Sequence, residues 1–408
     1  MQRSTSALVA RICAGGWFEA YDLFMTSYIA LGLYKEQLFA PAGSGVSAFA
    51  SFVAAGFTGM FVGTLVFGWV SDRYGRRASF AWSLVFYSLM TLGMALSHSA
   101  LAIDLWRFCA GVGIGVQIIT IDAYVTEIAP AAQRGRFIAL SQALTFTAVP
   151  VVALLSAWLV PLQIAGFAGW RVVAGIGAVG ALFAWTLQRG LPESPRWIED
   201  KRVAMDVRAL GELFGPAYRA RTLMLVAFNV LQTFGYYGFA SWVTTLLYAE
   251  HVGFVHSIQY TAVIAIAAPF GPLVAMYFAD RIERKWQIAG LAILIACLGL
   301  AFAASRTVAP IIVWGIALTL SLNWFSSAFH AYQAELYPTR VRARAIGFVY
   351  SWSRLASIGV GFAVSAVLAR SGPSAVFAMI AAAMALVAGI TAAFGPRTNR
   401  IELETLAP

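Results

Sequence analysis

Gly68-Trp69-Val70-Ser71-Asp72-Arg73-Tyr74-Gly75-Arg76-Arg77 is the stretch on which the reading of this chain turns. An apolar run ends in a carboxylate, a glycine and three arginines, and a second apolar run begins at once. Gly68 permits close helix approach, Gly75 permits a tight turn, and Asp72 can pair with arginines at the membrane edge. A degenerate copy follows: Asp280-Arg281 lies 208 residues after Asp72-Arg73. The same offset of 208 carries Glu127, Pro130, Arg134 and Arg136 onto Glu335, Pro338, Arg342 and Arg344. Six matched positions at one spacing describe two halves of one design, repeated in parallel.

Working outward, the apolar runs on either side are long enough to cross about 30 Å of hydrocarbon. They fall at 8–33, 49–70, 79–98, 103–124, 137–160, 168–190, 222–248, 258–279, 287–305, 309–330, 344–369 and 373–395, which makes twelve spans. Composition agrees. Of 408 residues, 60% are hydrophobic and 11% charged, less than half the roughly 25% of a soluble domain. Such a chain cannot cover a globular surface with polar groups, which excludes a soluble enzyme and a disordered protein together. Its partner is the lipid bilayer. Glu19 and Asp22 interrupt the first span, so it does not read as a cleaved signal peptide.

The net charge of +10 is a matter of membrane topology and not of nucleic acid. With the N-terminus inside, 22 of the 28 Lys and Arg fall at the cytoplasmic ends. Only Lys35, Arg171, Arg306 and Arg370 fall outside, and Arg107 and Arg354 lie within or at the edge of spans. The bias predicts both termini in the cytoplasm, and the short loops suit a bacterial inner membrane. Cys13, Cys109 and Cys297 are an odd number, far apart in apolar runs, and set up no disulfide or metal spacing. The expected domains are a six-helix bundle at 1–190, a cytoplasmic linker with short helices at 191–221, and a second bundle with a short tail at 222–408.

The 68–77 motif resembles the loop signature of the major facilitator superfamily, and the likeness extends over nearly the whole chain. Arg107-Phe-Cys-Ala-Gly111-Val-Gly113-Ile-Gly115, Glu127 with Arg134-Gly135-Arg136, Pro192-Glu193-Ser194-Pro195-Arg196 and Glu335-Leu-Tyr-Pro338-Thr-Arg340 resemble the sugar-porter branch and its relatives. Gly16-Trp-Phe-Glu19-Ala-Tyr21-Asp22 is closer to the metabolite:proton symporters, which carry dicarboxylates, shikimate-like acids and zwitterions. The chain departs from true sugar porters in lacking a Pro-Glu-Thr motif after the last span and a paired-glutamine pattern in span 7. The resemblance implies an all-α membrane protein of twelve transmembrane helices in two pseudo-symmetric six-helix bundles. Helices 1, 4, 7 and 10 would line a central cavity. It also implies transport by alternating access.

Ionisable groups inside spans are costly and are candidates by default. Glu19 and Asp22, three apart in span 1, are expected on one helical face near mid-membrane. Two close carboxylates there would make a proton acceptor usable near neutral pH, or an ion pair with Arg107 or Arg354. Arg107 stands where the resemblance places a sugar-porter arginine that couples proton to substrate. Arg354, about ten residues into span 11, has Phe146 as its repeat counterpart, so its charge is not part of the symmetric scaffold. A planar guanidinium binds a carboxylate through two parallel hydrogen bonds, and organic-anion carriers of the superfamily have a basic residue in a similar segment. The expected proton-coupling groups are Asp22, Glu19 and Arg107. The expected substrate site is Arg354 with Tyr21, Gln117, Gln142, Asn229, Gln232, Tyr236, Tyr237, Asn323 and Trp324. Asp104 is expected exposed at the outer edge of span 4, and His330 near the cytoplasmic end of span 10.

A cytoplasmic gate is expected from Asp72, Arg73, Arg77, Asp122, Glu127, Arg134 and Arg136 with Asp280, Arg281, Glu335, Arg342 and Arg344. No His-Glu-x-x-His or P-loop occurs, and Gly111-x-Gly113-x-Gly115 lies inside an apolar span where small residues serve packing. No enzymatic activity, cofactor or metal is expected, and the proton is the coupling ion. A monomer carrying a small anionic molecule by proton symport is the leading reading. A sugar or polyol symporter and a proton-driven efflux transporter are the alternatives. A sensor built on the same fold would bring a long cytoplasmic extension, against about 13 residues after span 12 here.

Overall fold

The computed structural model describes residues 2–39, 45–128, 134–188, 211–216, 218–250, 252–278, 281–337 and 339–398. The first half holds α1 (Gln2–Lys35), α2 (Gly45–Tyr74), α3 (Arg76–Leu96), α4 (Ala100–Ile128), α5 (Arg134–Phe146), α6 (Ala148–Leu159) and α7 (Gly169–Gln188). The second holds α8 (Arg219–Ala240), α9 (Val243–Ala249), α10 (Phe254–Ala265), α11 (Phe270–Phe278), α12 (Arg284–Ala304), α13 (Val308–Glu335) and α14 (Thr339–Phe394). Most of the expected 191–221 linker lies outside the described residues. One small hairpin interrupts the all-helical pattern: β1 (Gln163–Ile164) pairs antiparallel with β2 (Phe167–Ala168) across the left-handed residues Ala165 and Gly166.

These helices make twelve membrane crossings among the described residues. Span 5 is α5 and α6, span 7 is α8 and α9, span 8 is α10 and α11, and α14 contains spans 11 and 12. Prolines account for two of the breaks. A proline ring clashes with the carbonyl four residues earlier. Pro150 acts in this way on Phe146, the last residue of α5, and Pro269 acts on Ala265, the last of α10. The fold in α14 falls at Gly372, whose φ of +78° suits glycine, with Pro373 next. Eight stretches of the described residues meet a strict length-and-hydropathy criterion for spanning. The shortfall from twelve comes partly from α14, counted as one, and partly from α1, whose Glu19 and Asp22 lower its hydropathy.

The outer surface belongs in lipid, since Leu101 and Phe394 are each 72% exposed and Trp158 70%. Lipid removes the hydrophobic drive between helices, so close packing must hold them together. Glycines supply it between α2 and α4. A methyl on Gly59 would overlap the Phe108 carbonyl, one on Gly63 the Val112 carbonyl, and one on Gly115 the Met60 carbonyl. The Gly111-x-Gly113-x-Gly115 run is therefore a packing stripe, with Gly113 pressed on Tyr87 of α3.

Among the described residues the halves touch at the end away from the arginine-rich loops. There Phe49 of α2 sits edge-on to Trp242 at 4.9 Å, and Phe57 sits edge-on to Tyr237 at 4.6 Å. The Ser27 and Thr244 hydroxyls lie 3.4 Å apart, and the Lys35 ammonium lies over the Phe254 ring at 5.8 Å. Each of these contacts joins the first half to the second.

Candidate functional site

A half-open cavity of about 140 Å³ lies between the halves, displaced toward the arginine-rich end. α1 contributes Glu19, α5 contributes Gln142, α8 contributes Gln232, Tyr236 and Tyr237, and α14 contributes Arg354. Six expected residues are thus brought to one space. Phe24, Phe146, Phe329, His330 and Tyr350 complete much of its wall. Span 4 was expected to line it. Instead, the described part of α4 is drawn onto α2 by its glycines, and α5 and α14 take its place.

Arg354 is 3% exposed. Its guanidinium donates to the Tyr237 hydroxyl at 2.5 Å and to the Tyr350 hydroxyl at 2.8 Å. The same two rings flank it, with centroids 5.7 and 4.9 Å away. Phenol oxygens accept its protons without neutralising it, so the cation keeps its charge toward the cavity. Glu19, on the opposite half, lines the same cavity and attracts Arg354 electrostatically.

Beside Arg354, the His330 ring lies 4.4 Å from Phe329 and 5.1 Å from Tyr350. It stands near the arginine-rich end of α13 and also forms part of the cavity wall, which its sequence position did not indicate. Ser327 bonds Gln142 at 2.8 Å across the two halves. Tyr236 donates to the Asn323 side-chain oxygen at 3.2 Å, and Asn323 lines a smaller adjoining cavity of about 40 Å³. Sequence reasoning missed Tyr350, whose only signal was its place one turn before Arg354.

Three expected substrate residues sit elsewhere. The Tyr21 hydroxyl donates to the Val173 carbonyl at 2.9 Å and its ring presses on Gly177, which fixes it between α1 and α7. The Asn229 amide donates to the Leu225 carbonyl at 2.9 Å and faces Gln333, inside the second half. Trp324 stacks on Phe278 at 5.1 Å. The Gln117 side chain lies outside the described residues.

The span-1 carboxylates do not share a face. Positions three apart differ by about 60° around a helix, and α1 stands at the border of the bundle and the cavity. Glu19 faces the cavity. Asp22 faces the interior of the first half, where it forms an ion pair with Arg107, both side chains 3% exposed. Thr91 donates to the other Asp22 oxygen at 2.5 Å, and Arg107 also donates to Thr26 at 2.6 Å. Arg107 is packed so closely that a methyl on Gly56 would come within 3.1 Å of its Nε.

Asp104, expected exposed, is half-buried and bonded to Ser51 of α2 at 2.7 Å. Of the gate residues, the side chains of Asp72, Arg73, Asp122, Glu127, Arg134, Arg136, Asp280, Arg342 and Arg344 lie outside the described residues. Arg77 is exposed, and Arg281 lies over the Tyr277 ring at 3.7 Å. Glu335 accepts Arg284 Nε through both oxygens at 2.8 and 2.7 Å. Arg284, the partner of Glu335, reads from the sequence only as a topology signal. Among the described residues there is no grouping of His, Cys, Asp or Glu suited to a metal ion.

Twelve spanning helices in two halves around a charged central cavity define a membrane transporter. The family model of the Major Facilitator Superfamily matches residues 12–319 and 255–405, and the chain belongs to that superfamily. It is 29% identical over 417 residues to the putative metabolite transport protein YyaJ of Bacillus subtilis, covering 94% of this chain and 90% of that one. It is 28% identical to the niacin transporter NiaP of Acinetobacter baylyi, covering 96% and 94%. The crystal structure of a D-xylose-proton symporter superposes with a TM-score of 0.79 at 19% identity, covering 96% and 98%, and shares the fold. The chain is a transporter of small molecules and not an enzyme.

Proposed function

We propose that this protein is a proton-coupled symporter that imports a small, planar organic anion, an aromatic monocarboxylate in particular. The observation that carries the reading is Arg354, a buried guanidinium facing the cavity whose hydrogen-bond acceptors among the described residues are two phenol hydroxyls. A carboxylate can take two of its protons in parallel, and the rings of Phe24, Phe146, Phe329 and Tyr350 suit a flat apolar body. The likeness to a niacin transporter supports the same chemistry, since niacin is a pyridine carboxylate. The wall also carries Ser141, Gln142, Thr145, Gln232 and Ser326, the kind of polar groups a sugar would use, and the buried cation of Arg354 is what favours an anion.

The proposal includes the topology: both termini in the cytoplasm of a bacterial cell, bundles at 1–190 and 222–408, a linker at 191–221, and a monomer. The aromatic contacts then seal the outer end, and the cavity opens inward. From the outward-open state, a proton reaches Asp22 and loosens Arg107, while a proton on Glu19 frees Arg354 for the substrate carboxylate. The loaded cavity carries little net charge through the low-dielectric interface, which lets the halves rock. Linkage makes the coupling reciprocal, so substrate tightens proton binding by the same factor.

A thermal-shift series on purified protein tests the substrate class, because a ligand of the folded state raises Tm. Nicotinate and benzoate should raise it, and xylose and cationic amines should not. A shift with xylose alone would replace this reading with the sugar symporter.

A further inference from the structure

We infer that Asp104 is a neutral, protonated carboxylic acid that serves as the outer port for the proton bound by Asp22, an inference that rests on the proton-coupled reading above. The argument starts from one hydrogen atom. Ser51 Oγ lies 2.8 Å from the Ala48 carbonyl oxygen and 2.7 Å from Asp104 Oδ2. A serine hydroxyl has a single proton, and a carbonyl oxygen can only accept. A bond back to the preceding turn is the ordinary habit of a helical serine. Ser51 can donate to only one of the two oxygens; placing its proton on the Ala48 bond makes Asp104 the donor to Ser51, and an acid can donate only when protonated.

Asp104 Oδ1 points the same way, because it is buried without a hydrogen-bond partner among the described residues. A bare carboxylate oxygen in an apolar setting is far more costly than the carbonyl oxygen of a neutral acid. Among the described residues no cation is ion-paired with this acid. On α4 itself the next ionisable side chain inward is Arg107, one turn on, already bonded to Asp22 and Thr26. On α2 the facing group is Ser51, and on α1 the nearest acid along this route is Asp22. At the outer ends of α3 and α7, His98 and Arg171 lie against each other, with Glu36 bonded to Arg171.

The position completes a route. Asp104 sits in the second turn of α4, at the end of the bundle sealed by Phe49 and Trp242, one turn outward from Arg107. Its proton passes to the Asp22 carboxylate, which becomes neutral and releases Arg107. The Asp104 carboxylate left behind takes a proton from external water. Charge and protons balance over the cycle, and one proton enters for each one delivered.

The test combines infrared spectroscopy with transport by wild type, Asp104→Asn, Asp104→Glu and Ser51→Ala. At neutral pH the purified wild type should show a protonated-carboxyl stretching band that Asp104→Asn removes and Ser51→Ala shifts. In proteoliposomes, Asp104→Asn should lower the ratio of pH-gradient-driven nicotinate uptake to nicotinate counterflow severalfold. It should also move the pH profile of uptake to lower pH, and Asp104→Glu should restore part of both. An unaltered band in Asp104→Asn overturns the protonated acid. An unaltered ratio and pH profile beside a normally coupled wild type overturns the port alone. A wild type with no gradient-driven uptake sinks the coupled reading and the port together.

Discussion

Arg354 and Tyr237 are joined by a 2.5 Å hydrogen bond across the cavity end of α8 and α14, 117 residues apart in sequence. The phenol holds the guanidinium in place and leaves its charge for a ligand. Arg354→Ala should abolish saturable carboxylate binding. Arg354→Lys keeps the charge but cannot span Tyr237, Tyr350 and a carboxylate together. A hydrogen bond to a charged group contributes about 1.5–3 kcal/mol, so Lys should weaken Kd on the order of tenfold or more. Calorimetric titration with nicotinate decides it, and a Lys variant that binds like wild type removes Arg354 from the anion site.

Asp22→Asn should end uphill, gradient-driven uptake while exchange of internal for external substrate continues. The stability effects separate the partners. Arg107→Ala leaves a buried carboxylate uncompensated, which costs about 3–5 kcal/mol, whereas Asp22→Asn with Arg107→Gln removes both charges and should unfold at a higher temperature than Arg107→Ala alone. Thermal unfolding in detergent reads the order. Equal melting of all three would mean the pair is solvated and not buried.

Gly59→Ala and Gly115→Ala insert a methyl into a carbonyl of the facing helix, so α2 and α4 must separate. Both should sharply reduce the folded yield and Tm. Gly175→Ala, where the added methyl meets nothing within 4 Å, should leave them near wild type. Size-exclusion profiles and Tm of the three proteins test the contrast.

At the arginine-rich end, Glu335 and Arg284 form a bonded pair. The repeat offset of 208 makes Glu127 and Arg76 their counterparts. Glu335→Arg and Arg284→Glu should each impair uptake, and the double exchange should recover much of it. Asp72→Asn should slow transport while Kd stays within a few fold. Initial uptake rates beside binding constants distinguish a gate from a binding site, and normal rates for every single change would leave these charges as topology signals.

Much of this architecture is legible in the chain itself. The twelve apolar runs, the 208-residue repeat and the Asp72–Arg77 loop specify helix number and the two-fold repeat, because an unbroken apolar run of about 20 residues satisfies its backbone in lipid as a helix. The isolated charges Glu19, Arg107 and Arg354 also declare themselves, since burying each has a cost that only a partner or a function offsets. What the sequence hides is azimuth. Tyr21 and Tyr237 are the same residue type on the first spans of the two halves, though not at repeat-matched positions, and a glycine on α7 turns one into a packing residue while the other meets Arg354. Glu19 and Asp22 separate because α1 lies on a boundary that a single helix cannot reveal. Tyr350 has only its place one turn before Arg354 as a signal, and His330 is legible on its span but not in the cavity, until α13 and α14 bring both beside Arg354.

The central claim is that a proton gradient drives a carboxylate through this cavity. The direct measurement is nicotinate accumulation in proteoliposomes of purified protein, with the outside made acidic and then with the gradient collapsed by an uncoupler. The account predicts accumulation above the external concentration only while the gradient stands, inhibition by benzoate, and no accumulation with Arg354→Ala. Accumulation indifferent to the uncoupler, or gradient-driven accumulation of xylose with none of nicotinate, would contradict it.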